Sequence, residues 1–170
     1  SNGDHDDGRS LSRATGRGGP CGGLPADKKW PGNGRQAVAS LTVDSAAVLF
    51  KQAAACERCP RMAGRRRVLS QLNGTPDATV LLIGEAPGRR GAERHGIPFH
   101  GDAAGRNFER LLASCGLERD DVFITNAVLC NPQTPDGHNS KPLTAELANC
   151  EDWLRATLEL VDPELVVALG

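Results

Sequence analysis

Three short apolar runs, separated by two helical segments, limit the fold of this chain more than any other feature. The runs are ATVLLIG (78–84), DVFITNAV (121–128) and ELVVALG (164–170). Such short apolar runs predict strands of a parallel sheet that helices cover on both faces. AGRNFERLLASCG and TAELANCEDWLRATLELV, which lie between the runs, have the apolar spacing of helices. This alternation predicts an α/β protein with three layers, α/β/α, a parallel central sheet and right-handed crossovers.

The two helical segments also predict which side chains face the sheet. In the second helix, the predicted apolar stripe is Leu147, Cys150, Leu154, Leu158 and Val161. In the first helix, which Gly116 ends, it is Phe108, Leu111, Leu112 and Cys115. A further helix is predicted in the Ala-rich segment TVDSAAVLFKQAAACERC.

The domain is expected to begin near residue 42. Residues 1–41 are rich in Gly, Arg, Asp and Pro and have no apolar periodicity, so they predict a disordered arm. Residues 42–170 are enough for one domain. Because the chain begins at Ser1 and stops at Gly170 directly after an apolar run, we interpret it as a fragment. Its domain would then be incomplete at the C-terminus.

Composition narrows the class of protein. With 39% hydrophobic and 24% charged residues, the chain has the balance of a soluble protein. No apolar run reaches the length that a bilayer requires, and no signal-type start is present. We therefore expect a cytoplasmic monomer with no membrane partner. The net charge of −1 gives no overall basic signature for nucleic acid.

Four of the six cysteines form a pattern that is typical of a metal or cluster site. Cys56 and Cys59 form a C-x-x-C pair, and Cys130 and Cys150 are distant single cysteines. Two such pairs would favour zinc, whereas one pair leaves an iron–sulfur cluster open. The alternative is four unrelated cysteines.

The first apolar run stops at the segment Gly84-Glu85-Ala86-Pro87-Gly88, which two arginines follow. No Lys-Ser/Thr follows the glycines, so the segment is not a phosphate-binding P-loop. A plain turn is the simplest interpretation. Ligands of parallel sheets bind beyond the carboxyl ends of the strands, so a site is expected in residues 84–103 and 126–143.

The order of the motifs is more specific than any one of them. CERC, LLIGEAPG, GIPFHGDAAGRNFERLL, DVFITNAVLC, NSKPLTAELANC and VVALG follow one another over residues 56–170. This order resembles that of the iron–sulfur uracil-DNA glycosylases, families 4 and 5 of their superfamily. GEAPG has the family 4 form, whereas the following Gly-Asp-x-x-Gly and KPLTAELANC are closer to family 5. The resemblance implies a 4Fe–4S cluster on Cys56, Cys59, Cys130 and Cys150, with zinc less favoured.

The resemblance also implies a DNA repair enzyme that hydrolyses the N-glycosidic bond of uracil, and of other deaminated or 5-substituted bases, in DNA. The alternative is a non-catalytic iron–sulfur module that binds uracil or DNA. Both families carry a second motif, a His-Pro-Ser loop, after a further strand. This chain stops before that motif, so we expect the 170 residues alone to be inactive.

The resemblance makes the segment Gly84–Gly88 the first active-site motif and assigns roles to the residues around it. Asn126 has an amide that both donates and accepts, as the polar edge of uracil requires. Phe99 offers a face for stacking. Asn126 as a strand-end cap and Phe99 as a core residue are the simpler alternatives. The remainder of the predicted substrate pocket is Gly84, Ala86, Pro87, Gly88 and Gly91.

Two carboxylates are candidates for holding or activating the attacking water. Family 5 favours Asp102, and family 4 favours Glu85. In family 4, a carboxylate six positions after this glutamate excludes thymine. Gly91 stands at that position here, so we predict open space and a wider range of bases.

Five arginines are predicted to contact DNA phosphates, with a solvated protein face as the alternative interpretation. They are Arg65, Arg66, Arg67, Arg89 and Arg90.

Overall fold

The computed structural model describes residues 43–169, so the predicted arm 1–41 lies outside the described residues. The strands are β1 (Val80–Gly84), β2 (Val122–Asn126) and β3 (Leu165–Ala168). The helices are α1 (Val43–Ala54), α2 (Ala92–His95), α3 (Ala103–Ser114) and α4 (Thr144–Val161). Single turns of 3-10 helix lie at Pro60–Met62, Gln71–Asn73 and Arg119–Asp121.

The three strands form one parallel sheet in the order β2-β1-β3. In the shared register, Leu82 of β1 lies beside Ile124 of β2 and Val167 of β3. The predicted parallel sheet is thus confirmed. Among the described helices, none is both long and apolar enough to cross a membrane.

Each face of the sheet packs on a different set of helices. Leu81 and Phe123 belong to a buried cluster with residues of α1 and α4. Leu82 and Ile124 belong to a second cluster with residues of α3. The alternation follows from the strand geometry, in which successive side chains point to opposite faces. Each buried Leu, Ile or Phe contributes roughly 1.5–3 kcal/mol. This arrangement confirms the predicted three layers.

The predicted inner faces of the helices are only partly correct. In α3, Phe108 and Leu112 are buried, but Leu111 is 62% exposed and Cys115 is also exposed. In α4, Leu147 is 40% exposed, while its neighbour Glu146 is only 5% exposed. The inner face of α4 therefore includes a carboxylate that the hydrophobic pattern cannot identify. Arg61 pairs with that carboxylate and makes its burial possible.

Candidate active site and cysteine cluster

The carboxyl ends of β1 and β2 meet at one edge of the sheet. Gly84 lies beside Asn126 in the strand register. The pairing continues past both strands, because the Ala127 N–H donates to the Gly84 carbonyl at 2.8 Å. The Val128 N–H then donates to the Glu85 carbonyl at 3.1 Å. These bonds fix the start of the Gly84–Gly88 segment against the chain that follows β2.

Phe99 and Asn126 converge on Gly84. A Cβ atom at Gly84 would lie 2.6 Å from Asn126 Oδ1 and 2.8 Å from Phe99 Cζ, so the close approach requires glycine. Asn126 is only 2% exposed, and its Nδ2 has no hydrogen-bond partner among the described residues. A buried donor without a partner costs about 1–3 kcal/mol. Thr125 Oγ1, the neighbouring buried group, has no partner among the described residues either.

One face of the Phe99 ring is already covered. Phe108 of α3 stacks on it, with 4.9 Å between the ring centroids and 23° between the planes. Phe99 as a whole is nevertheless partly exposed. The ring thus packs on the core, and its role as a stacking surface for a base stays a prediction.

Asp102 lies at a second position near this edge of the sheet, close to Gly88 and Gly91. Its Oδ1 caps α3 by accepting the Gly105 N–H at 2.9 Å. Its Oδ2 would lie 2.4 Å from a Cβ at Gly91 and 3.1 Å from a Cβ at Gly88. The two glycines therefore make room for the carboxylate.

Asp102 also lines an open cavity of about 500 Å³. The other residues that line it are Arg89, Arg90, Ala103, Ala104, His138 and Asn139. The second predicted carboxylate, Glu85, is exposed. Asp102 lines this cavity and Glu85 does not, and the choice between them as the catalytic carboxylate stays a prediction.

Gly91 does not leave the open space that its sequence position predicts. A Cβ there would meet Asp102 Oδ2 at 2.4 Å and the His100 carbonyl oxygen at 2.6 Å. The predicted wide range of bases no longer follows from Gly91 alone and stays a prediction. Gly91 serves the close approach of Asp102 instead.

Two asparagines that the sequence did not single out hold the first motif in place. Asn131 is 1% exposed, and its Nδ2 donates to the Pro87 carbonyl at 2.5 Å and to Asn139 Oδ1 at 3.1 Å. Asn139 Oδ1 also accepts the Arg89 N–H at 3.0 Å. Both lie in the polar loop after β2, which is the signal that could have identified them.

The four cysteines of the predicted cluster site converge between α1, β2 and α4. Cys130 and Cys150 are buried, whereas Cys56 and Cys59 are partly exposed, and all four are free thiols. Burial raises the pKa of the Cys130 thiol to about 12, an effect that the nearby charge of Arg67 opposes. The other three thiols are near enough to raise this pKa further. Burial likewise raises the pKa of Cys150, and a backbone hydrogen bond from Leu129 opposes it.

N–H groups point at two more of these sulfur atoms. Trp153 Nε1 donates to Cys56 Sγ, and Asn149 Nδ2 donates to Cys59 Sγ, each at 3.4 Å. Such donors stabilise the thiolate form that metals require. Within residues 43–169, no group of three or more His, Cys, Asp or Glu side chains is arranged to hold a single metal ion.

Comparison with known proteins identifies the family of the chain. The sequence profile of the Uracil DNA glycosylase superfamily matches residues 73–170. A type-5 uracil-DNA glycosylase of Pyrobaculum aerophilum is 35% identical over 143 residues, which cover 68% of this chain and 61% of that protein. The chain belongs to the uracil-DNA glycosylase superfamily.

Both predicted types occur among the relatives. A type-4 uracil-DNA glycosylase of Archaeoglobus fulgidus is 41% identical over 97 residues, or 57% of this chain and 46% of that protein. Another of type 4, from Thermotoga maritima, is 36% identical over 115 residues, or 68% of this chain and 56% of that protein. The chain thus spans about half of the length of the curated uracil-DNA glycosylases that it matches. The predicted family resemblance is confirmed.

The predicted phosphate contact of Arg67 needs correction. The guanidinium of Arg67 is turned inward, where Nε donates to the Cys56 carbonyl at 2.7 Å and Nη1 to the Arg65 carbonyl at 2.6 Å. Nη2 also donates to the Cys56 carbonyl. Arg67 therefore supports the cysteine site and is not kept as a phosphate contact.

The other four arginines stay predictions. Arg65 lies 3.5 Å from a carboxylate oxygen of Glu93, which competes with a phosphate. Arg66 and Arg90 are exposed, and Arg89 lines the cavity with Arg90.

Proposed function

We propose that the full-length protein containing this chain is a DNA repair glycosylase that hydrolyses the N-glycosidic bond of uracil in DNA. The observation that carries the proposal is the buried, unpartnered amide of Asn126 beside the partly exposed ring of Phe99. A glycosylase must extrude its target base and read the base edge in a closed pocket. The corner at Gly84 supplies the two kinds of contact that such a pocket needs.

The base is recognised by an amide and a ring. Asn126 Nδ2 donates to a uracil carbonyl, and Oδ1 accepts the N–H of the base, so one side chain satisfies two neighbouring polar groups. Phe99 stacks on the base with the surface that Phe108 leaves free. Glycine at 84 allows both side chains to reach the same place.

Asp102 activates the water. Because the Gly105 N–H holds Oδ1, the carboxylate has a fixed orientation and Oδ2 can accept a proton from the water. The water oxygen bonds to C1′ of the sugar while the C1′–N1 bond breaks. The bonding electrons leave with uracil, and the DNA keeps an abasic site. Glu85 is the alternative base.

The DNA strand is the partner of this site. Arg89 and Arg90, at the wall of the cavity, and the exposed Arg66 bind phosphates in this proposal, and such contacts fix the register of the strand. We also propose that the protein works as a cytoplasmic monomer.

A 4Fe–4S cluster held by Cys56, Cys59, Cys130 and Cys150 completes the proposal. The four thiols, the N–H donors from Trp153, Asn149 and Leu129, and the charge of Arg67 fit a group that binds thiolates. The four cysteines would hold the cluster through their thiolates, and a single zinc ion on the same cysteines is the alternative. When bound, it ties α1, the segment after β2 and α4 together.

The decisive experiment measures uracil release from an oligonucleotide with one uracil by the full-length protein. We expect release with an abasic product, and a loss of about a hundredfold or more in Asn126→Ala, as for removal of a preorganised polar contact. Lys51→Ala, an exposed change in α1, is the control. Binding of uracil-containing DNA without release would favour the non-catalytic module.

A further inference from the structure

Phe99 adopts a backbone conformation that bulky residues avoid. Its φ is +46°, in the left-handed region where non-glycine residues are uncommon. Surrounding structure must hold such a residue in place, and positions of this kind are frequent at functional sites. The question is which groups fix Phe99.

Arg119 holds the backbone carbonyls before and after the Cα atom of Phe99. Its Nη1 donates to the Pro98 carbonyl at 3.0 Å, and its Nη2 donates to the Phe99 carbonyl at 2.9 Å. A planar guanidinium suits this task, because its N–H groups are fixed as a fork. Arg119 begins the turn that leads into β2, the strand that ends at Asn126.

Arg119 is itself held. Glu109 of α3 accepts from Nε at 3.1 Å and from Nη2 at 2.7 Å. The guanidinium carbon also lies 5.5 Å from the centroid of the Phe108 ring, which stacks on Phe99. The arginine side chain is only 22% exposed, so water competes little for these contacts.

Two glycines then leave Phe99 little freedom. A Cβ at Gly105 would lie 2.7 Å from the Phe99 carbonyl oxygen, and a Cβ at Gly84 would lie 2.8 Å from Cζ of the ring. The carbonyl is thus held between Arg119 and α3, and the far end of the ring lies against the end of β1.

We infer that Arg119 is a positioning residue for base recognition: it keeps Phe99 in the left-handed conformation that presents the ring beside Asn126. The inference rests on the proposed function, because it assumes that Phe99 stacks on the extruded base. It assigns no contact between Arg119 and the base.

A double-mutant cycle in the full-length protein tests the inference. Arg119→Gln is expected to raise KM for a uracil-containing oligonucleotide about tenfold, as loss of one base–aromatic stack would, with a smaller change in kcat. In a Phe99→Leu background, the same change should raise KM less than about twofold, because no ring remains to be positioned. An equal effect in both backgrounds would overturn the inference.

Two further variants separate geometry from charge. Arg119→Lys keeps the positive charge but loses the planar pair of N–H donors. Its KM should therefore rise as much as that of Arg119→Gln. Full recovery in Arg119→Lys would contradict the role of the fork. Arg155→Gln, which removes an exposed ion pair on α4, is the matched control and should leave KM unchanged.

Hydrogen exchange gives a readout that does not depend on activity. The Gly105 and Arg106 amides donate to Asp102, in the loop that carries Phe99, so they should exchange faster in Arg119→Gln than in the wild type, while those of β1 stay protected. A wild type that releases no uracil would refute the proposed function but leave this test in place. Unchanged exchange at Gly105 and Arg106 would refute the positioning role itself.

Discussion

At the scale of single residues, the glycines at and after the end of β1 determine where the predicted site side chains can lie. Gly84 admits Asn126 and Phe99, and Gly91 admits the Asp102 carboxylate. Their sequence positions identify a turn, but only the folded chain shows which side chain uses the space that each glycine leaves.

Gly91→Ala should reduce kcat for uracil release by about tenfold to a hundredfold, because a shift of about 1 Å in a catalytic group has that effect. The new Cβ would lie 2.4 Å from Asp102 Oδ2, so the carboxylate must move. Gly88→Ala, where the distance is 3.1 Å, is the matched comparison and should cost only a few-fold. Single-turnover rates and thermal unfolding of both variants check this. An unchanged kcat in Gly91→Ala would favour Glu85 as the base.

At the scale of elements, the Arg61–Glu146 pair joins the segment after Cys59 to the start of α4. The carboxylate is buried and accepts Arg61 Nε at 2.7 Å, Arg61 Nη2 at 2.5 Å and the Leu143 N–H at 2.8 Å. Glu146 lies one helical turn before Cys150 on α4, and Arg61 lies two residues after Cys59. The ion pair therefore joins the two segments that carry these cysteines.

Glu146→Gln should lower the free energy of unfolding by about 1–2 kcal/mol. This is less than the roughly 3–5 kcal/mol of a fully buried pair, because the Arg61 side chain is 31% exposed. Glu151→Gln, in an exposed pair with Arg155, should cost about 0.5 kcal/mol or less. Denaturant unfolding of the two variants makes the comparison. Equal costs would show that burial adds nothing to the pair.

The pH dependence of the pair has a defined sign. The hydrogen bond from Arg61 lowers the pKa of Glu146 below its ordinary value of 4.5, although burial opposes it. The stabilisation is therefore complete above pH 4.5 and is lost as the pH falls through the lower folded-state pKa. The difference between the wild type and Glu146→Gln should stay constant near neutral pH and shrink in acid. A difference that grows in acid would contradict the assignment.

The same elements show what sequence can and cannot predict. The strands were predictable because apolar runs such as VLLI report burial directly. The inner face of α4 was predicted correctly at Cys150 and Val161 but not at its start, since Glu146 is buried only through Arg61, a partner 85 residues away. Asn131 and Asn139 were missed for the same reason, because their partners lie in the loop after β1. The hydrophobic pattern of a sequence predicts which apolar side chains are buried. The partners of buried polar side chains depend on the tertiary fold.

At the scale of the whole molecule, the cysteine site connects parts of the chain that the sheet alone does not join. Cys56 and Cys59 follow α1, Cys130 follows β2, and Cys150 lies in α4. Buried thiols with a raised pKa are poor ligands until a metal offsets the cost of ionising them. Occupancy of the site should therefore be coupled to the folding of the domain.

The full-length protein, purified without oxygen, should be brown and contain about four irons per chain. Cys130→Ser should lose the iron and unfold at a lower temperature, because the buried centre loses a ligand. Lys51→Ala, the exposed change in α1, is the control and should keep the iron. Iron analysis, the visible spectrum and thermal unfolding measure these outcomes. One zinc per chain without iron would refute the cluster, and iron retained in full by Cys130→Ser would remove Cys130 from the ligand set.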